Sequence, residues 1–334
     1  MDKDLLTACS AIDRLATVEA RISVSSRGVI EPLYAAAFEA QGRRPLCLLA
    51  ADLILEHAKP GKTVFITTGA GDPRFMPAGE TDGPPGAAAL AVAIHAATGA
   101  VPVLLTEAEF IENLSATAAA AGLGLRSPEY ALKTPFTTTV LPLAADDGAK
   151  DQAKQYLDTY APTLLVSTEK IGPNADGVAH MSSGTPAAGS RARAEHLFDI
   201  GAARGIASIG IGDNGNEIGF GRISDAVKRW KPGGERLATR VATDVLFPAN
   251  ISNWGAYAVI AALAIRLQRP DLLHDADTER RMIEACVATN AVDGSTGRHI
   301  LAVDGTPLAM QQAVVTMLAG MVRNALIKGY KRPF

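Results

Sequence analysis

The sequence predicts an α/β protein, a three-layer α/β/α sandwich built on a mainly parallel sheet, and three observations support this fold class. Short apolar, β-branched runs recur along the chain, as in KTVFITT at 62–68. Segments with helical periodicity separate these runs, and strands that alternate with helices form parallel sheets covered on both faces. The 334 residues, 48% of them hydrophobic, are enough to build a large core.

The individual elements follow from the same patterns in chain order. Pro60 and Gly61 bound the first buried strand, and a glycine-rich loop follows it. We predict strands at 62–68, 101–106, 162–168, 206–212 and 241–247, with a weaker strand at 139–143. We predict helices at about 3–20, 30–40, 44–58, 85–98, 107–121, 150–160, 190–203, 216–229, 253–268, 277–291 and 307–328.

The domain organisation is predicted to be simple. Residues 1–334 are assigned to a single α/β domain, because the chain shows no internal repeat and no long linker. Residues 1–24 are assigned to a helical extension at the N-terminus. The Gly- and Ser-rich stretch MSSGTPAAGS at 181–190 predicts a flexible loop over 178–192.

Composition argues against several classes of function. The net charge is −3, from 32 basic and 35 acidic residues, and only 5% of the residues are aromatic, so a nucleic-acid partner is not expected. Apolar runs are interrupted well before 18 residues, and no membrane span is expected. Cys9, Cys47 and Cys286 are far apart in the sequence. This spacing argues against a thiolate zinc site and for reduced thiols in the cytoplasm.

The segment GETDGPPGA at 79–87 is the most informative stretch of the chain. Glu80 and Asp82 lie two residues apart between glycines and a Pro-Pro pair, just before an alanine-rich helical run. Glycine and proline constrain this backbone, so both carboxylates point in fixed directions. Carboxylates held in this way are suited to bind a hard cation or a cationic substrate.

Polar residues also cluster directly after the other predicted strands. In an open parallel sheet, ligands bind at the carboxyl ends of the strands, so these loops predict one shared active site. The loops carry Glu80 and Asp82; Glu169, Lys170 and Asn174; Asp213, Asn216 and Glu217; and Asn250, Ser252 and Asn253.

The segment GIGDNGNEIG at 210–219 has three interpretations. Its glycines fit the spacing GxGxxG of a dinucleotide-binding loop, but Asp213 would place a negative charge against a pyrophosphate. It could also be a tight strand-to-helix turn capped by Asp213 or Asn214. We favour the third interpretation, an oxygen-ligand cluster of Asp213, Asn216 and Glu217, because one capping residue would suffice for a turn.

The acidic candidates also have purely structural interpretations. Glu80 and Asp82 could cap the helix that is predicted to begin near Pro85. Glu169 and Lys170 could form a surface ion pair, which would contribute little to stability.

Three neutral or turn-forming candidates have similar alternatives. Asn174 is an ordinary turn former, and Ser252 could be the N-cap of the helix at 253–268. Asp293 could belong to a plain turn or could supply substrate hydrogen bonds. A zinc hydrolase is disfavoured, since no HExxH or HxxxH spacing occurs in the sequence.

The motifs together resemble a known family in their content and in their order. They are RGVIEPLY at 27–34, ITTGA at 66–70, ETDGPPGA at 80–87, EKIGPNADG at 169–177, GIGDNGNEIGFG at 210–221, SNWGAY at 252–257 and AVDGSTG at 291–297. This set resembles the D-glutamate cyclase family over about residues 25–325. The resemblance implies intramolecular dehydration of D-glutamate to 5-oxo-D-proline, and related domains bind a divalent cation through acidic residues.

The sequence departs from the family pattern at two places. Asn214 stands where the family usually has a second glycine, and residues 178–181 (VAHM) replace a tyrosine-containing stretch. The second departure lies in a loop that is expected to face the substrate, so it bears on the identity of the substrate more than on the fold.

Roles for the candidate residues follow from the implied reaction. All-oxygen ligation favours Mg²⁺ or Mn²⁺ as the divalent cation. We expect Glu169 to act as the general base, with Lys170 and Asp213 as further catalytic groups. The expected cation ligands are Glu80, Asp82, Asp213 and Glu217, with Asn216 as a neutral ligand, and the expected substrate-binding residues are Thr68, Asn174, Asn250, Ser252, Asn253 and Asp293.

Two further function classes stay open at this point. The same acidic cluster would serve a metal-dependent phosphatase or another hydrolase, and a non-catalytic sensor of an amino acid or metal would bind without turnover. The expected partner is a small amino-acid substrate. Alanine-rich helices at 85–98 and 255–265 could pack against a second copy of the chain, as in a homo-oligomer, or could cover the sheet.

Overall fold

The computed structural model describes residues 3–21, 26–187, 191–327 and 329, and strands and helices alternate along them. The strands are β1 (Thr63–Thr68), β2 (Val101–Glu107), β3 (Gly124–Leu125), β4 (Thr137–Thr138), β5 (Val140–Leu143), β6 (Leu164–Thr168), β7 (Ala207–Gly212), β8 (Val245–Pro248), β9 (Ala302–Val303) and β10 (Thr306–Pro307). The helices are α1 (Lys3–Ala16), α2 (Ile30–Ala40), α3 (Leu46–His57), α4 (Pro84–Thr98), α5 (Ile111–Ala120), α6 (Pro128–Ala131), α7 (Ala149–Tyr160), α8 (Glu195–Ala203), α9 (Ser224–Trp230), α10 (Gly234–Leu237), α11 (Ser252–Leu267), α12 (Ala276–Ala288) and α13 (Leu308–Leu326).

The central sheet is parallel throughout and has the strand order β5-β2-β1-β6-β7-β8. The chain runs outward from β1 through β2 to β5, and then returns to the other side of β1 to form β6, β7 and β8. The strand order therefore reverses between β1 and β6. The loops that leave these two neighbouring strands diverge, and they open a crevice at the carboxyl ends of the sheet.

Helices cover both faces of the sheet, which confirms the three-layer α/β/α class. Successive side chains of a strand point to opposite faces. Val64 and Ile66 accordingly pack in one core with α1 to α5 and α11 to α13. Phe65 packs on the other face with α7 and α8. The helices α4 and α11, whose alanines could have formed an interface, are buried here against the sheet and against each other. A homo-oligomer stays a prediction.

Two predicted elements were wrong in extent. The helix predicted at 216–229 contains only a short 3-10 turn and then α9, which begins at Ser224. The strand predicted at 241–247 begins at Val245, because residues 241 and 242 pair with the loop around Gly219. Smaller shifts occur at α5, which begins at Ile111 since β2 extends through Glu107.

Within residues 1–24, which we predicted as a helical extension, the structure has α1, which ends at Ala16 and packs into the first core. Residues 1–2 and 22–24 of that prediction lie outside the described residues. The described part of the predicted flexible loop contains two isolated bridges, Pro173 with Ala179 and His180 with Pro186. Residues 188–190 lie outside the described part of the chain, and the flexibility of this loop stays a prediction.

No helix of the described residues is long and apolar enough to cross a membrane. Cys9, Cys47 and Cys286 are all free and buried.

The N-termini of α4 and α11 cap each other across the helix pair. The Asn253 Oδ1 atom of α11 accepts hydrogen bonds from the backbone N–H groups of Gly83 (3.0 Å) and Gly86 (2.8 Å). In return, the Asp82 carboxylate accepts from the N–H groups of Ser252 and Asn253, both at 2.9 Å. The first N–H groups of a helix need such acceptors, because they have no partner within the helix. Asp82 therefore caps α11, and it also accepts from the Gly83 N–H (3.0 Å) at the start of α4, the helix that the sequence suggested.

We expect Asn253→Ala to lower the free energy of unfolding by about 2–4 kcal/mol, since it removes both capping bonds and a third bond to Thr81 O. Urea unfolding would measure the loss. Asn324→Ala is the matched control, because Asn324 is exposed on α13, and its effect should stay within about 0.5 kcal/mol. Equal effects of the two substitutions would contradict the capping role.

Candidate active site

A cavity of about 410 Å³ opens where the strand order reverses between β1 and β6. Its walls come from the loops after β1, β6 and β7, together with the turn after Asp293 and the segment that follows α1. Polar groups dominate the lining. They belong to Arg21, Ser26, Glu80, Glu169, Ser182, Ser183, Asn214, Asn216, Ser295 and Asp304. The structure thus has an acidic cavity at the carboxyl ends of the strands, where the sequence predicted the site.

Glu169 stands at the end of β6 with its backbone in the left-handed region (φ +48°). This conformation is uncommon for a residue with a Cβ atom, and it often marks a functional position. The Ser252 hydroxyl donates a hydrogen bond to Glu169 Oε2. Burial, followed by the negative charges of Asp213 and Glu217, holds the pKa of Glu169 well above its usual range. A buried carboxyl with these neighbours is suited to accept and return a proton.

Gly83 allows Glu169 and β1 to approach the first turn of α4. Its φ is +100°, and a Cβ atom there would lie 2.6 Å from Thr68 Oγ1 and 2.9 Å from the Cβ atom of Glu169. A side chain at position 83 would therefore displace either the end of β1 or the candidate base. This steric constraint explains why the ETDGPPGA motif has glycine at position 83.

Lys170, which we predicted as a catalytic group, does not line the cavity. Its Nζ atom forms an ion pair with Glu107 and donates a hydrogen bond to Gly69 O at 3.1 Å. Burial lowers the pKa of Lys170, and the charge of Glu107 opposes that shift. Glu169 and Lys170 are adjacent in the sequence, but Glu169 lines the cavity and Lys170 pairs with Glu107. The two residues do not form the surface ion pair that the sequence suggested.

Two groups of carboxylates converge beside the cavity. Each of Asp82, Asp213 and Asp304 offers an oxygen within 4.8 Å of the others, and Glu169, Asp213 and Glu217 do the same. Asp213 is the member common to both groups. Asp82 and Asp213 were predicted as cation ligands, and the structure brings them together across 131 positions of the sequence.

Asp304 is a member that the sequence analysis missed. It lies in the turn between β9 and β10. A signal was present, because the turn at 302–305 repeats the letters AVDG of 291–294. Turns of the type Asp-Gly are so common that this repeat did not indicate a site.

Arg21 is a second missed residue. Its guanidinium forms ion pairs with Asp213 and with Asp304 (3.1 Å), and its Nη2 atom donates to Asp213 O at 2.8 Å. The side chain is 5% exposed. A lone arginine in the segment after α1 belongs to no motif, and only the fold brings it to the acidic cluster.

Glu217 shapes the turn that carries Asp213. Its carboxylate accepts hydrogen bonds from the backbone N–H groups of Asp213 (3.3 Å), Asn214 (2.9 Å) and Gly215 (2.8 Å). These bonds hold residues 213–215 as a compact turn and explain why no helix begins at residue 216. The segment is neither followed by a helix of the dinucleotide-binding kind nor capped by Asp213 or Asn214.

The predicted substrate-binding residues divide into two sets. Asn174 Oδ1 accepts from the N–H groups of Asp176 and Val178, so Asn174 organises its own turn. Asp293 accepts from the N–H of Thr296 in its own turn and from that of Gly305 in the β9–β10 turn, so it links these two turns. Asn253 serves as the helix cap described above.

The second set consists of Thr68, Ser252 and Asn250. Thr68 Oγ1 is buried without a hydrogen-bond partner among the described residues. Ser252 begins α11 without capping it through its side chain, and its hydroxyl donates to Glu169 instead. Asn250 lines a smaller cavity beside the main one. All substrate roles stay predictions.

The acidic groups lie so close together, and so deeply buried, that their pKa values are raised. Burial, opposed by Arg21, raises the pKa of Asp213 to about 7. Burial and the charge of Asp213 raise the pKa of Asp304 to about 7. Burial and neighbouring acids raise the pKa of Glu80 and that of Asp82 well above the usual range.

These observations fit a divalent cation. Several carboxylates are held together at the cost of mutual repulsion, which a bound cation would relieve. Asn216 donates to His180 O at 2.9 Å through Nδ2, while its Oδ1 atom is buried with no partner among the described residues. Since Asn216 lines the cavity, that oxygen is free to serve as a neutral ligand. A donor set made only of oxygens suits Mg²⁺ or Mn²⁺.

We expect the cation-free protein to lose stability as pH rises from about 4 to about 7. In this window the folded state retains protons on Asp213 and Asp304, whose pKa is about 7, whereas the unfolded chain has released them near its ordinary value of 3.8. The pKa of Lys231 is lowered by burial to about 8, so Lys231 titrates above this window.

The melting temperature in a chelator should therefore be higher at pH 5 than at pH 8. Mg²⁺ or Mn²⁺ should raise it more at pH 8, where the carboxylates are ionised. A melting temperature that increases steadily from pH 5 to pH 8 in the chelator would contradict the assigned shifts.

The comparisons with known proteins point to one family. A family model described as "D-glutamate cyclase-like, C-terminal" matches residues 39–319. A stretch of 234 residues is 32% identical to the Homo sapiens protein named "D-glutamate cyclase, mitochondrial". This stretch covers 65% of the chain and 35% of the human protein, so the chain matches about a third of the length of that relative.

Proposed function

Because this chain belongs to the D-glutamate cyclase-like family, we propose that it catalyses the intramolecular dehydration of D-glutamate to 5-oxo-D-proline. The observation that carries the proposal is the acidic cavity between the ends of β1 and β6, with Glu169 on its wall. The name of the human relative, a D-glutamate cyclase, supports the same substrate.

The reaction needs no second substrate. The α-ammonium group loses two protons, and its nitrogen forms a C–N bond to the carbon of the γ-carboxylate group. One C–O bond of the γ-carboxylate breaks, and the departing oxygen leaves with both protons as water. The protein must fold the substrate so that the nitrogen meets the carbon of the γ-carboxylate group, which can contribute about 7–11 kcal/mol when the alignment is ideal.

Glu169 is the proposed proton carrier. Its raised pKa and its place on the cavity wall suit it to take a proton from the α-ammonium group and to return one to the departing oxygen. Ser252 holds the carboxyl through its hydroxyl hydrogen bond to Oε2. In this proposal the other Glu169 oxygen receives the proton.

Asp82, Asp213 and Asp304 are the proposed ligands of the cation, with Asn216 as a neutral donor. Mg²⁺ or Mn²⁺ at this position would polarise the γ-carboxylate and stabilise the negative charge on its oxygens. The backbone N–H groups of Ser252 and Asn253 fix the orientation of Asp82, and a carboxylate retains further lone pairs for a cation. Glu80 and Glu217, both predicted as ligands, then surround the site with additional negative charge.

The proposed activity is tested by offering the purified protein D-glutamate, L-glutamate and a panel of phosphate esters, each with Mg²⁺ or Mn²⁺ and with a chelator. We expect 5-oxoproline from D-glutamate in the presence of the cation, with no phosphate release. Phosphate release without 5-oxoproline would favour the hydrolase. Thermal stabilisation by D-glutamate without turnover would favour the sensor.

The location and the assembly of the protein stay predictions. The buried free cysteines agree with a reducing compartment, and we retain the cytoplasm as the proposed location. The human relative is named as mitochondrial, which is a statement about that protein alone.

A further inference from the structure

A second cavity of about 220 Å³ adjoins the acidic one. Arg21 and Ser26 line both cavities, so the two spaces share a wall. The other lining residues are Glu19, Ala20, Arg27 and Asn250. This lining contains two arginines and one acidic residue, whereas the lining of the main cavity contains three acidic residues and one arginine.

Two buried donors at the second cavity have no partner among the residues that the structure describes. They are Arg21 Nε and Asn250 Nδ2. Asn250 is 2% exposed, so its amide cannot be satisfied by bulk water. Buried hydrogen-bond donors nearly always have an acceptor in folded proteins. Two buried donors without an acceptor on one cavity therefore indicate that an acceptor binds there.

The surrounding charges favour an anionic acceptor. Lys231 is buried behind this wall, and its Nζ atom donates to Ser26 Oγ at 2.8 Å and to Asn214 Oδ1 at 2.6 Å. Glu19, the acidic residue of the lining, accepts a hydrogen bond from the Gly28 backbone N–H at 2.7 Å. Among the charged residues that line the second cavity, Arg21 and Arg27 outnumber Glu19. The Nη1 and Nη2 atoms of Arg21 are engaged by Asp213 and Asp304, so its Nε atom is the guanidinium donor that remains for a carboxylate.

We propose that Arg21 and Asn250 bind the α-carboxylate of the substrate, an assignment that rests on the proposed cyclase function. The α-carboxylate and the ammonium group are attached to the same carbon, so their binding sites have to adjoin. The wall shared by the two cavities meets this requirement, with Glu169 on the side of the ammonium group and Asn250 on the side of the carboxylate.

The assignment places a specificity determinant outside the part of the chain that the family model matches. Arg21 precedes residue 39, where that match begins. The segment is fixed to the site at its start, because the Asn250 backbone N–H donates to Ala16 O, the last residue of α1, at 2.8 Å. It also replaces part of our earlier assignment, since Ser252 and Asn253 have other hydrogen-bond partners.

The test is a change of substrate preference in Asn250→Asp. D-glutamate is compared with its α-amide, which retains the α-amino group and the γ-carboxylate but lacks the α-carboxylate charge. We expect the ratio of kcat/KM for D-glutamate to that for the α-amide to fall about 10- to 150-fold, because a donor becomes a repelling carboxylate. Asn324→Asp, exposed on α13, should leave the ratio unchanged. An unchanged ratio in a folded Asn250→Asp protein would overturn the proposal.

A binding measurement separates this proposal from the cyclase function. Glutarate retains both carboxylates without the amine, and 4-aminobutyrate retains the amine and one carboxylate. We expect glutarate to stabilise the wild-type protein thermally, with the shift lost in Asn250→Asp and in Asn250→Ala, while any shift with 4-aminobutyrate persists. An equal glutarate shift in all three proteins overturns the carboxylate site. A glutarate shift that depends on Asn250, in a protein that forms no 5-oxoproline, supports the carboxylate site and refutes the cyclase function.

Discussion

Glu169→Gln is expected to lower kcat for 5-oxoproline formation by about 10²- to 10⁴-fold, the usual contribution of a positioned general base. The amide has the shape of the carboxyl group but cannot carry the proton. Its oxygen can still accept the Ser252 hydroxyl hydrogen bond, so the surroundings should be preserved. Cation binding should persist, because Asp82, Asp213 and Asp304 form a group without Glu169.

The control for this substitution is Glu235→Gln, on an exposed residue of α10. It should leave kcat unchanged. Calorimetric titration with Mg²⁺ distinguishes two causes of a lost rate. If Glu169→Gln binds the cation normally and turns over slowly, Glu169 is the base. If it loses the cation as well, Glu169 is a ligand, and full activity of the variant would exclude both roles.

Asp213→Asn is expected to weaken cation binding by at least about 100-fold and to reduce turnover by a similar factor or more. Asp213 is the residue common to both carboxylate groups, so no described set of three acids remains without it. Substitution also removes one of the two ion pairs of Arg21, but the pair with Asp304 persists. The protein should therefore fold, and its loss of activity should not be a loss of structure.

Asp225→Asn provides the matched control, because Asp225 is exposed on α9 and lies 3.9 Å from Lys228 in a surface pair that contributes little. Cation affinity and turnover should match those of the wild-type protein. Wild-type cation affinity in Asp213→Asn would show that the acidic groups do not hold the metal. Retained affinity with lost turnover would instead assign Asp213 to the substrate.

The sheet and the position of the site could be predicted because both depend on local patterns. Buried β-branched runs between helical segments indicate a parallel sheet, and loops at its carboxyl ends share one edge. Glu80, Glu169 and Asn216 follow three different strands and all line the same cavity. Glu80 and Asp213 were visible in sequence because each lies in an unusual glycine-rich loop, whereas Asp304 lies in a common Asp-Gly turn and was not.

The remaining features depend on contacts between distant parts of the chain. Arg21 meets Asp213 across 192 positions and Asp304 across 283. Asp82 caps the helix that contains Asn253, and Asn253 caps the helix that follows Asp82, through hydrogen bonds that span 170 positions. A sequence pattern indicates that a helix start needs an acceptor, but it does not say which part of the chain provides it.

The predicted helix at 216–229 failed for a related reason. Glu217 satisfies the backbone N–H groups of the preceding turn with its own carboxylate, and this keeps residues 213–217 out of a helix. Lys170 shows that a residue adjacent in sequence to a site residue need not belong to the site. It follows the candidate base directly, yet it pairs with Glu107 away from the cavity.

The most direct test of the proposed function is chiral chromatography of a reaction that contains only the protein, D-glutamate and Mg²⁺ or Mn²⁺. We predict that 5-oxo-D-proline accumulates mole for mole as D-glutamate disappears, and that Glu169→Gln forms it at least about 100-fold more slowly. No 5-oxo-D-proline from the wild-type protein, or equal rates from both proteins, would contradict the role of the acidic cavity in this reaction.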